Sequence, residues 1–553
     1  MKKAGKRHPW QASYPKHLAW DHMIDAKPLY TILDQAAAKF PEHTAIDFLG
    51  KTYSYQQLHR AVNCAARALK AQGVKKGVRV GLLLPNCPQA VIGYYAILKT
   101  GGTVVNLSPL QSQAELTHQA SIVKMRFVIT VNLEATYPKA RKLVEEGLIE
   151  TLITSCFSEA LPAMKGTLFS LLKRKEVARV TKDSHHLRWK SLFCGKDQEF
   201  EPPAITPEED IAVLQFTGGT TGVPKAAMLT HANLYANAQQ CALWCGLLTP
   251  GKERMMGVLP LFHCFAMTLI MNMGLMLGCR LILHPRFNIE ATLKDIARKK
   301  VTLLPGVPTL FAAIANHPHL KRFNLRSLKI CISGGAPLPM EVREYFEEVT
   351  GCKLLEGYGL TETSPVAACN PLEGKQKACI GLPFPQTEIK IEDMKRRGHF
   401  LKAGEVGELC IKGPQVMRGY WQKKAETEKI IRKKFLRTGD IGYMDEEGYF
   451  YIVDRLKDMI ISHGFNVYPR NVEEAIYKHP AVLEAAVTGI PDKKYGQVVK
   501  AHVVRRPGKV LTEDELRAFL QDLLARYEIP RVVEFKERLP KTTIGKIDKK
   551  QLS

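Results

Sequence analysis

The residues best suited to handling a polyphosphate lie between Leu214 and His231, in the run L-Q-F-T-G-G-T-T-G-V-P-K-A-A-M-L-T-H. Ala212, Val213, Leu214 and Phe216 lead into Thr217-Gly218-Gly219-Thr220-Thr221-Gly222, and Lys225 closes the turn before a helix-like segment from Ala232. Three glycines let backbone N–H groups approach an anion with no Cβ in the way, while threonine hydroxyls and a lysine add donors. The spacing is not that of the common nucleotide-hydrolase loop, which puts Gly-Lys-Ser/Thr together; here Val223-Pro224 separates Gly222 from Lys225. A mobile surface loop would have the same composition, so the choice depends on what accompanies it.

Four further clusters follow in order. Tyr358-Gly359-Leu360-Thr361-Glu362-Thr363 offers an aromatic face to a base and a carboxylate to Mg²⁺. Arg437-Thr438-Gly439-Asp440 places a carboxylate at a tight turn, as an acceptor for two ribose hydroxyls. Asp454-Arg455-Leu456-Lys457 concentrates charge where the texture of the chain changes, and Pro540-Lys541-Thr542-Thr543-Ile544-Gly545-Lys546 sets a lysine on a glycine turn. Taken singly, these read as a turn, a cap, a charged linker and a basic tail.

The elements that must position them alternate. Helices are expected at 29–40, 56–72 and 88–100, and strands at 44–48, 52–55, 78–84, 101–107, 125–130 and 152–155, the pattern of a layered α/β domain with mostly parallel sheet. Strands at 301–304, 327–333 and 353–355 run into Gly306-Val307-Pro308, Ser333-Gly334-Gly335-Ala336-Pro337 and the Tyr358 cluster. Loops at the carboxyl ends of parallel strands are where such sheets bind ligands. From Gly381 short strands and turns suggest a β-rich subdomain over 381–453. From Asp454 helix and strand alternate again, suggesting a small α+β module over 454–553 behind a domain spanning 1–453.

At 553 residues, 45% hydrophobic and 24% charged, the chain is too long for one core. Its net charge of +25 favours anionic partners: nucleic acid, an anionic membrane face or phosphorylated substrates. No interleaved basic and aromatic nucleic-acid motif is present. Thirteen scattered cysteines without a C-x-x-C pair argue against a zinc site or a disulfide framework and fit a reducing, cytoplasmic compartment. The uncharged stretch Met255–Cys279 contains Pro260, His263 and several glycines and reads as strand, turn and buried helix rather than a membrane span. Between Leu161 and His186, Leu161, Met164, Leu168, Leu171 and Leu172 share a helical face, with Lys165, Lys173, Arg174, Lys175 and Arg179 opposite or at its end. Such a helix either covers the core or lies on the inner face of an anionic membrane.

The five clusters, in this order over roughly residues 28–552, resemble the adenylate-forming superfamily of acyl-CoA synthetases, peptide-synthetase adenylation domains and beetle luciferase. The wording is most similar to bacterial long-chain fatty-acid CoA ligases: T-G-G-T-T-G, Leu259-Pro260-Leu261-Phe262-His263 and His463-Gly464-Phe465-Asn466-Val467-Tyr468-Pro469. The resemblance implies attack of a fatty carboxylate on the α-phosphorus of ATP to give acyl-AMP and pyrophosphate, followed by displacement of AMP by coenzyme A. It implies that Thr217, Gly218, Gly219, Thr220, Thr221, Gly222 and Lys225 grip the β- and γ-phosphates, that Glu362 holds Mg²⁺, and that Thr361 touches the α-phosphate. Gly335, Ala336 and Tyr358, with Gly359 beside it, would frame adenine. Asp440 would take the ribose hydroxyls with Arg455 alongside, and Lys546 would reach carboxylate and α-phosphate. A mobile C-terminal domain would turn about Asp454 or Lys457, bringing Gly464 to a pantetheine tunnel.

For the acyl group, Phe262, His263, Met267, Val307 and Gly334 match channel positions in relatives, with His263 able to close on the carboxylate or simply to sit in the core. No Asp or Glu occurs from Arg254 to Asn288, which argues against an amino-acid substrate. Met267 stands where some relatives carry a tryptophan gate, and Ile461 where luciferase-like members carry a lysine for the thioester step. The resemblance leaves room for a homodimer. The alternatives are a ligase for medium-chain or aryl acids, an acyl-AMP ligase feeding a carrier protein, or a non-catalytic basic protein binding membrane or nucleic acid.

Overall fold

The computed structural model describes residues 8–193, 199–217, 224–373, 377–462, 465–492, 496–542 and 545–552. Among them are four sheets. The first carries the strands Arg254–Gly257, Leu303–Gly306, Ile330–Gly334 and Leu354–Gly359 side by side and parallel, with antiparallel strands at both edges. These four strands are almost wholly buried up to their carboxyl ends, as a sheet covered on both faces requires. The second sheet is built on the parallel strands Arg79–Leu83, Thr103–Leu107, Phe127–Val131 and Thr151–Ser155. A five-stranded sheet centred on Gly407–Lys412 and Phe435–Met444 follows. The last, also five-stranded, is centred on Val482–Asp492 and Gly496–Arg505 and has its own apolar core. The expected layered, mostly parallel α/β architecture with a β-rich region is therefore present.

Local chemistry sets the helix starts. Ser54, Ser112, Thr230 and Thr512 each accept the N–H three residues on, and the Gln, Glu or Asn at that position returns the bond. The helix His231–Trp244 thereby begins directly after strand Lys225–Thr230. That strand departs from the expected order of strand, loop and helix. It pairs antiparallel with Ile211–Thr217, with Thr217 opposite Lys225. Ala226 and Ala227 have little intrinsic strand preference, and the pairing partners on both sides impose the extended form.

The uncharged stretch forms strand Arg254–Gly257 and a buried helical run from Cys264 to Met276. Among the described residues no helix is long and apolar enough to cross a membrane. In helix Ala163–Leu172 only Gly166 is buried. A Cβ there would lie 2.6 Å from the Ser158 carbonyl oxygen. Met164, Leu168, Leu171 and Leu172 face outward, Met164 being 86% exposed and Leu172 72%, and Leu161 alone of the expected face is buried.

The N-terminal stretch from His8 is an arm packed on the body. Trp10 is buried beside Phe450, and the Trp20 indole N–H donates to the Thr387 carbonyl at 2.8 Å. Tyr14 donates its hydroxyl to the Pro383 carbonyl at 2.6 Å.

Candidate active site

A cavity of about 1270 Å³ opens at the carboxyl ends of Leu303–Gly306, Ile330–Gly334 and Leu354–Gly359. Thr217 and Lys225 reach it from the antiparallel pair Ile211–Thr217 and Lys225–Thr230, Asp440 and Arg455 from the β-rich sheet, and Lys546 from the C-terminal segment. Widely separated stretches of chain thus supply one lining.

Asp440 is the most constrained member. It lies in strand Phe435–Met444, directly opposite Arg455 in strand Phe450–Arg455. Its Oδ1 is 3.0 Å from Arg455 Nε, and its Oδ2 accepts the Tyr358 hydroxyl at 2.6 Å. The expected tight turn is absent: Gly439, at φ +72°, lies within strand Phe435–Met444, and its N–H donates to Glu408 at 3.0 Å. Burial and the adjacent Asp440 charge keep the Tyr358 phenol protonated by raising its pKa. Asp440 pulls the Arg455 pKa upward.

Lys546 ends a tight turn in which the Gly545 N–H donates to the Thr542 carbonyl and the Thr542 N–H donates to the Lys546 carbonyl. The Thr309 hydroxyl, in helix Pro308–Ala315 just after strand Leu303–Gly306, donates to the Gly545 carbonyl at 2.9 Å. Gly335 gives the lysine room. Its φ is +82°, and a Cβ there would sit 2.9 Å from Lys546 Cε. Burial brings the Lys546 pKa down to about 8, with the Arg455 charge adding to the fall and Asp440 opposing it. His263 lies close by, its pKa lowered to about 3 by burial and by Lys546. Its Nδ1 accepts the Phe265 N–H at 3.3 Å, so the neutral ring carries its proton on Nε2.

Glu362 accepts the Tyr420 hydroxyl at 2.7 Å through Oε1, and no described residue takes its other oxygen. Lys225 is ion-paired with Glu426, its ammonium lying 5.3 Å from the centre of the Tyr420 ring. No group of three or more metal-binding side chains occurs among the described residues. A lone carboxylate facing an anion site suits Mg²⁺, which takes most of its ligands from phosphate oxygens and water.

A family model described as AMP-binding enzyme matches residues 33–421, and one for the C-terminal domain of the same enzymes matches residues 471–546. The chain belongs to the AMP-binding enzyme family. Among its relatives in that family is a long-chain-fatty-acid–CoA ligase of Bacillus subtilis, 43% identical and aligned over 98% of this chain and 97% of the relative. One of the same description from Escherichia coli O157:H7 is 38% identical, with the same two coverages. Of solved AMP-binding enzyme structures, o-succinylbenzoate CoA synthetase from Bacillus subtilis, in complex with its acyl-adenylate intermediate, is 29% identical. It superposes with a TM-score of 0.78 over 95% of this chain and 98% of its own.

The cavity gathers Thr217, Lys225, Gly335, Ala336, Tyr358, Gly359, Thr361, Glu362, Asp440, Arg455 and Lys546, with Phe262, His263 and Gly334 beside them. Gly218, Gly219, Thr220, Thr221, Gly222 and Gly464 lie outside the described residues. Met267 and Val307 are not in the lining. Met267 is fully buried, its sulfur 3.2 Å from the Asn106 amide nitrogen, and Phe265, Leu269 and Met273 line the cavity instead. Val307 backs the lysine turn, its Cγ2 standing 3.3 Å from where a Gly545 Cβ would be. Asp454 accepts the N–H groups of Arg455 and Arg470, and burial raises its pKa to about 6. Lys457 also faces the cavity, and the Ile461 side chain is exposed. Sequence reading missed Tyr420 and Glu426, which engage Glu362 and Lys225; neither stands in a spacing that marks it.

Because its pKa is near 8, Lys546 should be cationic at neutral pH and lose its charge as pH rises through that value. Titration of the ¹⁵N-labelled lysine side chains by NMR, with Lys546→Arg to assign the signal, should show the transition near pH 8. A transition near the ordinary lysine value of 10.5 would contradict this placement.

Proposed function

We propose that this chain is an AMP-forming long-chain fatty-acid–CoA ligase. The reading is carried by a buried lysine that shares one cavity with a carboxylate, an arginine and a tyrosine suited to a nucleotide, next to an apolar wall. The 43% and 38% identical relatives support the acid class.

In the first step the fatty carboxylate oxygen attacks the α-phosphorus of ATP, an acyl–phosphate bond forms, and the bond to pyrophosphate breaks. Both reactants are anions, so the barrier is one of charge and position. Lys546 lies beside Gly335, where its ammonium can hold the carboxylate and an α-phosphate oxygen together. His263 is neutral and presents an Nε2–H, so it orients the carboxylate without adding charge. Asp440, whose two oxygens are held by Arg455 and the Tyr358 hydroxyl, would take the ribose diol at the cavity wall, and Tyr358 would meet the base. Thr217 and Lys225 would hold the outer phosphates, with Lys225 leaving Glu426 as they arrive. Glu362, kept in place by Tyr420, would hold Mg²⁺, which supplies charge neutralisation between the phosphates. In the second step the thiol of coenzyme A attacks the acyl carbonyl and AMP leaves.

The C-terminal sheet is read as a domain turning about Asp454–Lys457, which would withdraw Lys546 and clear a path for the thiol. The outward apolar face of Ala163–Leu172 and the basic residues that follow it suit contact with an anionic bilayer. Pelleting with anionic vesicles should fall when Leu168 and Leu172 are both changed to Asp; pelleting equal to the parent would remove lipid from this account.

The deciding assay is AMP release with ATP, coenzyme A and a panel of acids. Palmitate and oleate should exceed octanoate, benzoate and ferulate in kcat/KM by at least ~10-fold. A preference for aryl or medium-chain acids would place the chain elsewhere in the family, and activity requiring a carrier protein would replace coenzyme A as acceptor.

A further inference from the structure

The cavity is larger than a nucleotide site needs, exceeding the roughly 300–1,000 Å³ usual for small-molecule pockets. Two helical elements add apolar residues to its lining. Phe265, Leu269 and Met273 recur at four-residue spacing, all facing it, and carry the wall on the order of 10 Å beyond the Phe265 ring. That ring sits on Gly334, where a Cβ would be 3.0 Å from it, so the run starts next to the Lys546 site.

Helix His231–Trp244 adds its last residue, Trp244, to the same lining. Trp244 lines the cavity together with Cys241, Cys245 and Cys369. Trp244 is fixed rather than swinging. Its indole N–H donates to the Asn370 carbonyl at 3.1 Å, and its ring packs on Phe384 with centroids 5.1 Å apart. Behind it is the N-terminal arm. Tyr14 meets the indole edge-on at 5.3 Å and does not itself line the cavity, so the indole is the partition between cavity and arm. His17 braces the same helix end, 3.2 Å from the Leu243 carbonyl. A Cβ at Gly246 would fall 2.3 Å from the His17 ring.

We propose that Trp244, braced by Tyr14, is the stop that sets the longest acyl chain this enzyme accepts, the chain lying along Phe265, Leu269 and Met273 with its methyl end at the Cys241–Cys245 face. This rests on the fatty-acid reading above. It assigns a length-setting role to a residue outside the nucleotide site, and a supporting role to an arm remote from the chemistry.

The test is the ratio of kcat/KM for pyrophosphate release with arachidate against palmitate, and with palmitate against octanoate. Trp244→Ala should raise the first ratio by roughly 10-fold or more, Tyr14→Ala should raise it less, and Cys241→Phe should lower the second. Should Trp244→Ala fail to fold, palmitate bearing a terminal diazirine and irradiated on the intact enzyme supplies an independent reading: the label should land within 241–245 or on Cys369. Ratios equal to the parent in every folded variant, or a label found only elsewhere, would overturn the stop. Failure of the parent enzyme to activate any fatty acid would instead overturn the fatty-acid reading itself.

Discussion

An ammonium group taken out of water needs an anion close by, and at this site there are too few. Lys546 is enclosed, yet the carboxylate nearest in effect, Asp440, is already shared by Arg455 and Tyr358. Lys225 has Glu426, and Glu362 is held by the neutral Tyr420. The depressed pKa of Lys546 expresses this shortage, because the cavity favours loss of the proton when nothing negative is bound. A phosphate with a carboxylate beside it would correct the imbalance, and the correction is largest where negative charge is concentrated. The same deficit that costs the free protein stability would make the filled site selective for paired anions.

Everything that brings Lys546 there depends on contacts between separately built layers. The parallel strands of the first sheet end in glycines, and Gly335 leaves the space into which the lysine projects. Thr309 grips the lysine turn by its backbone. Deeper in, Glu356 from the strand carrying Tyr358 faces Arg470 from the C-terminal helix Pro469–Tyr477, and burial pushes the Glu356 pKa up to about 7 while Arg470 draws it down. The Arg470 guanidinium also donates to the Ile452 carbonyl at 3.0 Å, and Lys549 pairs with Glu473 at 2.6 Å.

Much of this was legible in the chain. The alternation of buried strands and amphipathic helices gave the layered α/β class, because periodicity follows from burial on two faces or one. The glycine-rich turns at the strand ends pointed to the nucleotide site, and Tyr358, Glu362, Asp440, Arg455 and Lys546 do meet in one cavity. What could not be read arises from pairing across long separations. Strand Lys225–Thr230 looks like a turn because its extended form is imposed by neighbours. Tyr420 and Glu426 stand in no motif and matter only through the side chains they touch. Met267 was placed by matching positions, but the helical run after Cys264 turns its neighbours Phe265 and Leu269 to the cavity and buries Met267 against Asn106. The docking of the N-terminal arm could not be read either, because the partners of Trp10, Tyr14 and Trp20 lie hundreds of residues away.

The claim on which the rest turns is that Lys546 serves the formation of the acyl adenylate and not its consumption. Comparing Lys546→Ala with the parent in the two half-reactions tests it directly. Exchange of labelled pyrophosphate into ATP in the presence of a fatty acid should drop by a factor of roughly 100 to 1,000, while thioester formation from supplied acyl-AMP and coenzyme A stays near the parent rate. Equal losses in both half-reactions, or exchange that survives intact, would contradict the account.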